Sequence, residues 1–468
     1  MITPISERKT VELSRKLGSL DDEFDHWLKQ SEEDQPFQKH HTQIRAVTEI
    51  LNRLRAQIKT KLGSVKDDNQ PLAQGRAVEE MILAVHRIWE YFRSKLSQRY
   101  EDRFKQYLAA ADEFAWACYK PALDATAATD RNHVRREPPL VFFNGGASPF
   151  SVSRDRAFEA EQVPGEPLSG PALKKVLESL PIPVIGVPWH QVAHLPDALV
   201  IGHEVGHTVE DDFKLTSTLE ERLGAVLVRG VDQTRHAAWK NWLGEIFADL
   251  YGCLAAGPAF VSALMDFLAG APATVAAQTR TEMDWGLYPT DYLRIVFNLA
   301  ALRALGFAAE SDRLEQNWQA SYPSHSMTCF AADAKLIAPA LLDVKYAQLG
   351  GRSLREIVIF SAKEQKRASE VADDINRQDQ ITKGNIRELF AAIRLAYERA
   401  PTNHYATEDI AKNISLRMDK IIEKKVRAGE KEMTKEQKDI ISEQRKNAGD
   451  DLFDQMWAAA HSSGAGGN

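Results

Sequence analysis

The stretch Val200-Ile201-Gly202-His203-Glu204-Val205-Gly206-His207-Thr208-Val209 carries two histidines four residues apart, with a glutamate directly after the first. Residues four apart on a helix face the same way, so His203 and His207 can offer imidazole nitrogens to one metal ion. Nothing between Val200 and Val209 breaks a helix: there is no proline, and the flanks are uncharged. Glu204 falls beside the ligands and not among them. It is placed to take a proton from water activated at the ion, which is the task of a general base. Zinc is the default cation for such a ligand set, and it lowers the pKa of water toward about 7.

A catalytic zinc normally takes three protein ligands and keeps one position open. The segment Trp242-Leu243-Gly244-Glu245-Ile246-Phe247-Ala248-Asp249-Leu250-Tyr251-Gly252 offers two carboxylates four apart on an otherwise apolar helix. Acids on such a surface are costly unless paired or bound to a cation. Glu245 is therefore expected as the third ligand to a single Zn2+ ion. Asp249, one turn on, is expected to orient a ligand histidine through its other ring nitrogen.

HExxH followed by ExxAD, with 37 residues (208–244) between them, resembles the gluzincin branch of the zincin metallopeptidases. The metzincin pattern is excluded, because Glu210 and Phe213 stand where it needs glycine and histidine. The resemblance covers roughly residues 180 to 300. It implies a metal site between two helices, hydrolysis of a peptide or protein substrate, and an upstream edge strand along the substrate groove. The stretch 181–189 is in the right place for that strand. Some gluzincins with ExxAD carry a His-Pro segment and a downstream arginine after the third ligand. Here the corresponding residues are Tyr288-Pro289 and Arg294, with tyrosine at the histidine position. The resemblance thus makes Tyr288 and Arg294, with Tyr292 beside them, candidates to stabilise the oxyanion of the reaction.

Other polar residues carry weaker signals. His190 and His194 are four apart but flanked by Pro188 and Pro196; they could line the groove or bind a second metal. His40-His41 reads as a solvated helix surface, and His236 and His325 have no partner pattern. Asp211-Asp212 reads as a charged exit from the motif helix, and Cys253 as a small buried hydrophobe.

The elements that must hold these residues are mostly helical. In 1–130 apolar residues recur at three and four, as in Ile44, Val47, Ile50, Leu51, Leu54 and Ile58, and again in Met81, Ile82, Val85, Ile88, Trp89 and Phe92. A polar break at 66–71 separates the two runs. Near 130 the texture changes. Residues 138–146 read as a short strand ending in a turn, and prolines and glycines crowd 149–188. Residues 181–188 read as a proline-flanked edge strand or an extended wall. Helical periodicity returns from Leu195 to about residue 400. The expected fold class is mainly α with a small β component: a zincin-like α+β core flanked by helical regions. The expected organisation is an N-terminal helical region (1–130), a metallopeptidase core (131–300), a helical region completing the cleft (301–408), and a charged C-terminal helix with a flexible tail (409–468). Residues 411–449 hold 11 Lys/Arg against 7 Asp/Glu, which reads first as a solvated helix and second as a basic docking surface.

Composition narrows the function classes. The chain has 468 residues, 44% apolar and 27% charged, enough for a substantial core without disulfides. A net charge of −7 argues against nucleic acid or an anionic membrane as partner. No apolar run of about 18 residues or secretory leader is evident, so no membrane span is expected. Three cysteines, Cys118, Cys253 and Cys329, lie far apart and suit a reduced, cytoplasmic protein. The expected function is a cytoplasmic zinc metallopeptidase, with flanking helices available to a protein partner. The alternative is a zincin fold kept as a catalytically silent scaffold.

Overall fold

The structure is a computed structural model that describes residues 3–64, 70–129, 137–152, 182–282, 284–323, 326–402 and 434–462. The polar break at 66–69, the proline- and glycine-rich residues 153–181, His325, the charged residues 409–433 and the tail at 463–468 lie outside the described residues. The fold is mainly helical with one small sheet, as expected. Among the described residues no helix is long and apolar enough to cross a membrane.

Three long helices begin the chain: α1 (Ile5–Gln30), α2 (His41–Ser64) and α3 (Gln70–Ser97). Each carries an apolar stripe at three- and four-residue spacing, such as Leu13, Leu17, Leu20, Phe24 and Trp27 on α1. The stripes meet around an aromatic nucleus in which Phe24 and Trp27 lie edge-on to Trp89 at 5.4 and 5.7 Å. A fourth helix, Lys435–Ser462, closes this bundle with Leu452, Phe453 and Met456. It was expected to be solvated. Its inner side is instead buried, and its charged side is tied to α2 by Arg53–Asp450 at 2.6 Å and Glu49–Arg445 at 2.5 Å. Each such pair adds little on its own; the apolar seam does most of the binding.

Helix α4 (Asp102–Thr129) does not join the bundle, although its sequence continues the same helical texture. Its buried residues belong to a second, larger apolar cluster that runs from Tyr107 to Ala396. That cluster takes in residues on both sides of 300, so the segments 131–300 and 301–408 share one core. The joint between the two clusters is a buried polar knot. Arg99 grips Asp112 of α4 with Nη2–Oδ2 at 2.7 Å and donates to the Val141 carbonyl at 2.7 Å. His40 reaches the same carboxylate at 3.3 Å; it is buried, not a surface histidine.

The sheet spans the joint. Strand β1 (Leu140–Asn144) lies parallel to β3 (Val184–Pro188), and β2 (Phe150–Val152) lies antiparallel on the other side of β3, giving the order β1-β3-β2. Side chains alternate between faces. Leu140, Phe142, Val152 and Val184 enter the bundle core, while Val141, Phe143, Ile185 and Val187 enter the larger one. A strand buried on both faces reads as a continuous apolar run. This corrects the expectation for 181–189. The strand is central, not an edge, because Pro183 and Pro188 sit at its ends and 184–187 keep their backbone donors. The edges of the sheet are β1 and the three-residue β2.

Candidate metal centre

The motif helix α5 (Ile201–Asp212) is followed by α6 (Thr216–Gly230), α7 (Leu243–Ala256), α8 (Pro258–Leu268) and α9 (Asp291–Ala304). Helix α7 is apolar on every side and buried along nearly its whole length, as its sequence requires. Its polar exceptions, Glu245 and Asp249, face α5. The two helices approach closely because the contact is built from small residues. A Cβ added at Gly206 would lie 2.8 Å from the Tyr251 Cβ and 2.9 Å from the Ala248 Cα. Any side chain there pushes α7, and its carboxylates, away from the histidines.

At that approach the expected ligands converge. The Nε2 atoms of His203 and His207 are 3.2 Å apart. Glu245 places Oε2 3.4 Å from His203 Nε2 and Oε1 3.3 Å from His207 Nε2. The three ligand atoms all lie within 4.8 Å of one another, a spacing that could hold a metal ion. Asp249 is fully buried and lies 2.9 Å from His203 Nδ1. A carboxylate only accepts, so Nδ1 carries the proton and Nε2 turns its lone pair to the cluster. Glu245 Oε2 is buried and has no hydrogen-bond donor. A carboxylate oxygen without a donor among the described residues, beside two imidazole nitrogens, could hold a cation.

Without an ion the cluster draws in a proton. Burial opposes a charge on His203, but the carboxylates of Asp249 and Glu245 outweigh it and raise its pKa from 6.5 to about 10. Burial pushes Glu245 the other way, yet the imidazoles of His203 and His207 close beside it hold its carboxyl well below the ordinary range. Asp249 is likewise lowered: burial is overcome by the charge of Arg294 and by His203.

Arg294, in the first turn of α9, is buried and donates to Asp249 in a fork, Nη2–Oδ1 at 2.7 Å and Nε–Oδ2 at 3.0 Å. Its guanidinium reaches Glu245 Oε2 only at 3.7 Å. Arg294 is thus committed to the carboxylates behind the ligands. Asn298, one turn on, donates to the Arg294 carbonyl at 2.9 Å and accepts from the Cys253 thiol at 3.0 Å. Tyr288 is about half exposed, at 51%. Its hydroxyl pKa is raised by the charge of Glu245, by burial and by Glu204. Tyr292 packs on Trp318 at 6.1 Å and does not line the site cavity.

The cavity is about 440 Å³ and brings Glu204 and Tyr288 to the same space as His203, His207 and Glu245. Strand β2 forms one wall, a role that nothing in its three-residue sequence announces. His190 and His194 do not line this cavity. His190 is exposed, and His194 meets Asp197 at 3.4 Å and the Tyr397 ring. Asp212 is not a solvated exit residue: it is buried and accepts from the Tyr119 hydroxyl at 2.6 Å. His236 lies 3.0 Å from the Val231 carbonyl. Cys253 is buried as expected.

Sequence reading missed Gly206, which sets the helix spacing, and Asn298, which braces Arg294. The signal for Gly206 was available: a glycine inside a predicted helix is unfavourable unless close packing requires it. Comparisons with known protein families, curated proteins and solved structures give no match, so the site is read from its own geometry.

Proposed function

We propose that this chain is a zinc-dependent peptidase that hydrolyses peptide bonds in a peptide or protein substrate. The observation that carries the reading is the convergence of two imidazole nitrogens on a buried carboxylate oxygen without a donor, in a cavity that also holds Glu204. His203, His207 and Glu245 would hold one Zn2+ ion. Bound there, it would supply Lewis acidity, lowering the pKa of water toward about 7 and polarising the scissile carbonyl.

The protein groups then have separable tasks. Glu204 accepts the proton of the attacking water and returns it to the departing amine nitrogen as the C–N bond breaks. Asp249 keeps His203 in the tautomer whose Nε2 is free, and Arg294 keeps Asp249 charged and oriented. Arg294 was a candidate oxyanion donor on resemblance. Its commitment to Asp249 favours a positioning role, and leaves the Tyr288 hydroxyl as the donor for the developing oxyanion. The assignment to the gluzincin-like zincins and to the cytoplasm belongs to the same proposal, as does the use of the helical bundle as a partner surface.

Metal analysis joined to a peptide-library digest tests the reading. The expected result is one zinc per chain and cleavage by the natural sequence, with Glu204→Gln retaining zinc and losing turnover by about 10²-fold or more. A chain that binds zinc and cleaves nothing in either form is the catalytically silent scaffold. A chain that binds no divalent ion refutes the centre itself.

A further inference from the structure

Glu204, His207 and Asp211 follow one another at three and four residues, share one face of α5, and line one cavity. Four other acids of this neighbourhood are engaged. Glu245 faces His207, Asp249 holds Arg294, Glu210 accepts from Thr216 at 3.0 Å, and Asp212 accepts from Tyr119. Asp211 is only partly buried, and among the described residues its carboxylate meets neither a cation nor a hydrogen-bond donor. The guanidinium in the cavity wall, Arg294, is already forked onto Asp249. Val200, just before the other end of α5, lines the cavity together with Leu264 and Phe267 of α8. Residues 200 and 211 are about 16 Å apart along the axis at 1.5 Å per residue. The groove therefore has an apolar end and an anionic end, with the ligand cluster between them.

A carboxylate that no described group neutralises, in a recess shared with the reactive site, is satisfied by what enters the recess. A cation makes a charge-assisted hydrogen bond there, and an acid is repelled. We infer that Asp211 determines specificity by binding a cationic nitrogen of the substrate, on a lysine or arginine side chain or on a free amino terminus, close to the bond that is cut. The inference rests on the peptidase reading for the identity of the bond, but the selectivity itself is a binding property.

The test uses the zinc-loaded full chain carrying Glu204→Gln, immobilised and offered a random decapeptide library with free or acetylated amino termini. Retained peptides are quantified by mass spectrometry. The expected result is enrichment of lysine and arginine over norleucine at one position by about tenfold, or retention that depends on the free amine if the terminus is the partner. Adding Asp211→Asn should abolish the enrichment, and Asp211→Lys should reverse it toward acidic residues. High salt should weaken it. Zinc content and thermal melting show that each variant is folded. Enrichment that survives Asp211→Asn, or no cationic preference at all, overturns the inference. Digestion of the same library by the natural sequence separates the two readings. Cationic retention without cleavage sinks the peptidase and leaves Asp211 standing, whereas cleavage indifferent to charge does the reverse.

Discussion

The bundle core and the contact between the two helices of the candidate metal centre are packed with different materials. The bundle is centred on large rings, Phe24, Trp27, Phe37 and Trp89, and ion pairs such as Arg53–Asp450 lie at its margin. Where the two site helices meet, the packing turns on glycines, with Gly206 against Tyr251 and Ala248 and Gly252 against the Phe260 ring. The site core also encloses charge, with Asp249 fully buried and Arg294 nearly so. Large apolar side chains maximise the area removed from water, at roughly 25 cal/mol per Å². A ligand cluster needs two helices closer than large side chains permit, and charges that burial penalises. The bundle is built for stability, and the site core gives some of it up for geometry.

Substitutions can break or sharpen that contrast. The largest effect is expected from a pair. Asp249→Ala strands a buried guanidinium and should cost about 3–5 kcal/mol, and zinc retention should fall with it. Trp89→Ala should cost a similar 3–5 kcal/mol, yet leave zinc affinity per folded molecule unchanged. Denaturation joined to metal titration checks both; equal loss of zinc affinity would mean that the two cores are not separable. Gly206→Ala comes next, at about 1–3 kcal/mol from overpacking. It should weaken zinc binding although it touches no ligand, and metal competition measures this.

Removing the ion should produce a smaller, local effect. Chelation is expected to raise hydrogen exchange in α5 and α7 while sparing the bundle. In the ion-free chain the proton on His203 contributes stability because its pKa is raised from 6.5 to about 10. That contribution is full below about pH 6.5 and is lost as pH climbs through about 10. Melting the ion-free chain across that window should show the decline. Zinc must displace the same proton, so zinc affinity should rise with pH and binding should release protons into a weak buffer. The smallest effect is expected at the margin of the bundle, where Arg445→Ala should cost about 1 kcal/mol or less. A larger loss by thermal melting would show that the C-terminal helix depends on its charges more than on its apolar seam.

The residue order determined the ligand types, their spacing and the helices that carry them. His203, Glu204, His207, Glu245 and Asp249 were legible because helix periodicity is local: four residues make a turn wherever the helix lies. The helical character of the chain was legible for the same reason. What required the third dimension was non-local. Strand β3 became central only because β2, three residues long, pairs with it across a segment that carries no pairing signal. Helix α4 and the C-terminal helix changed places relative to their sequence texture, because a stripe of apolar residues does not name the stripe it will meet. Arg294 donates both arms of its fork to Asp249, a partnership that the sequence did not name. Gly206 shows the division most plainly: in sequence it weakens a helix, and in the fold the absence of its side chain lets two distant stretches bring three ligands to one point.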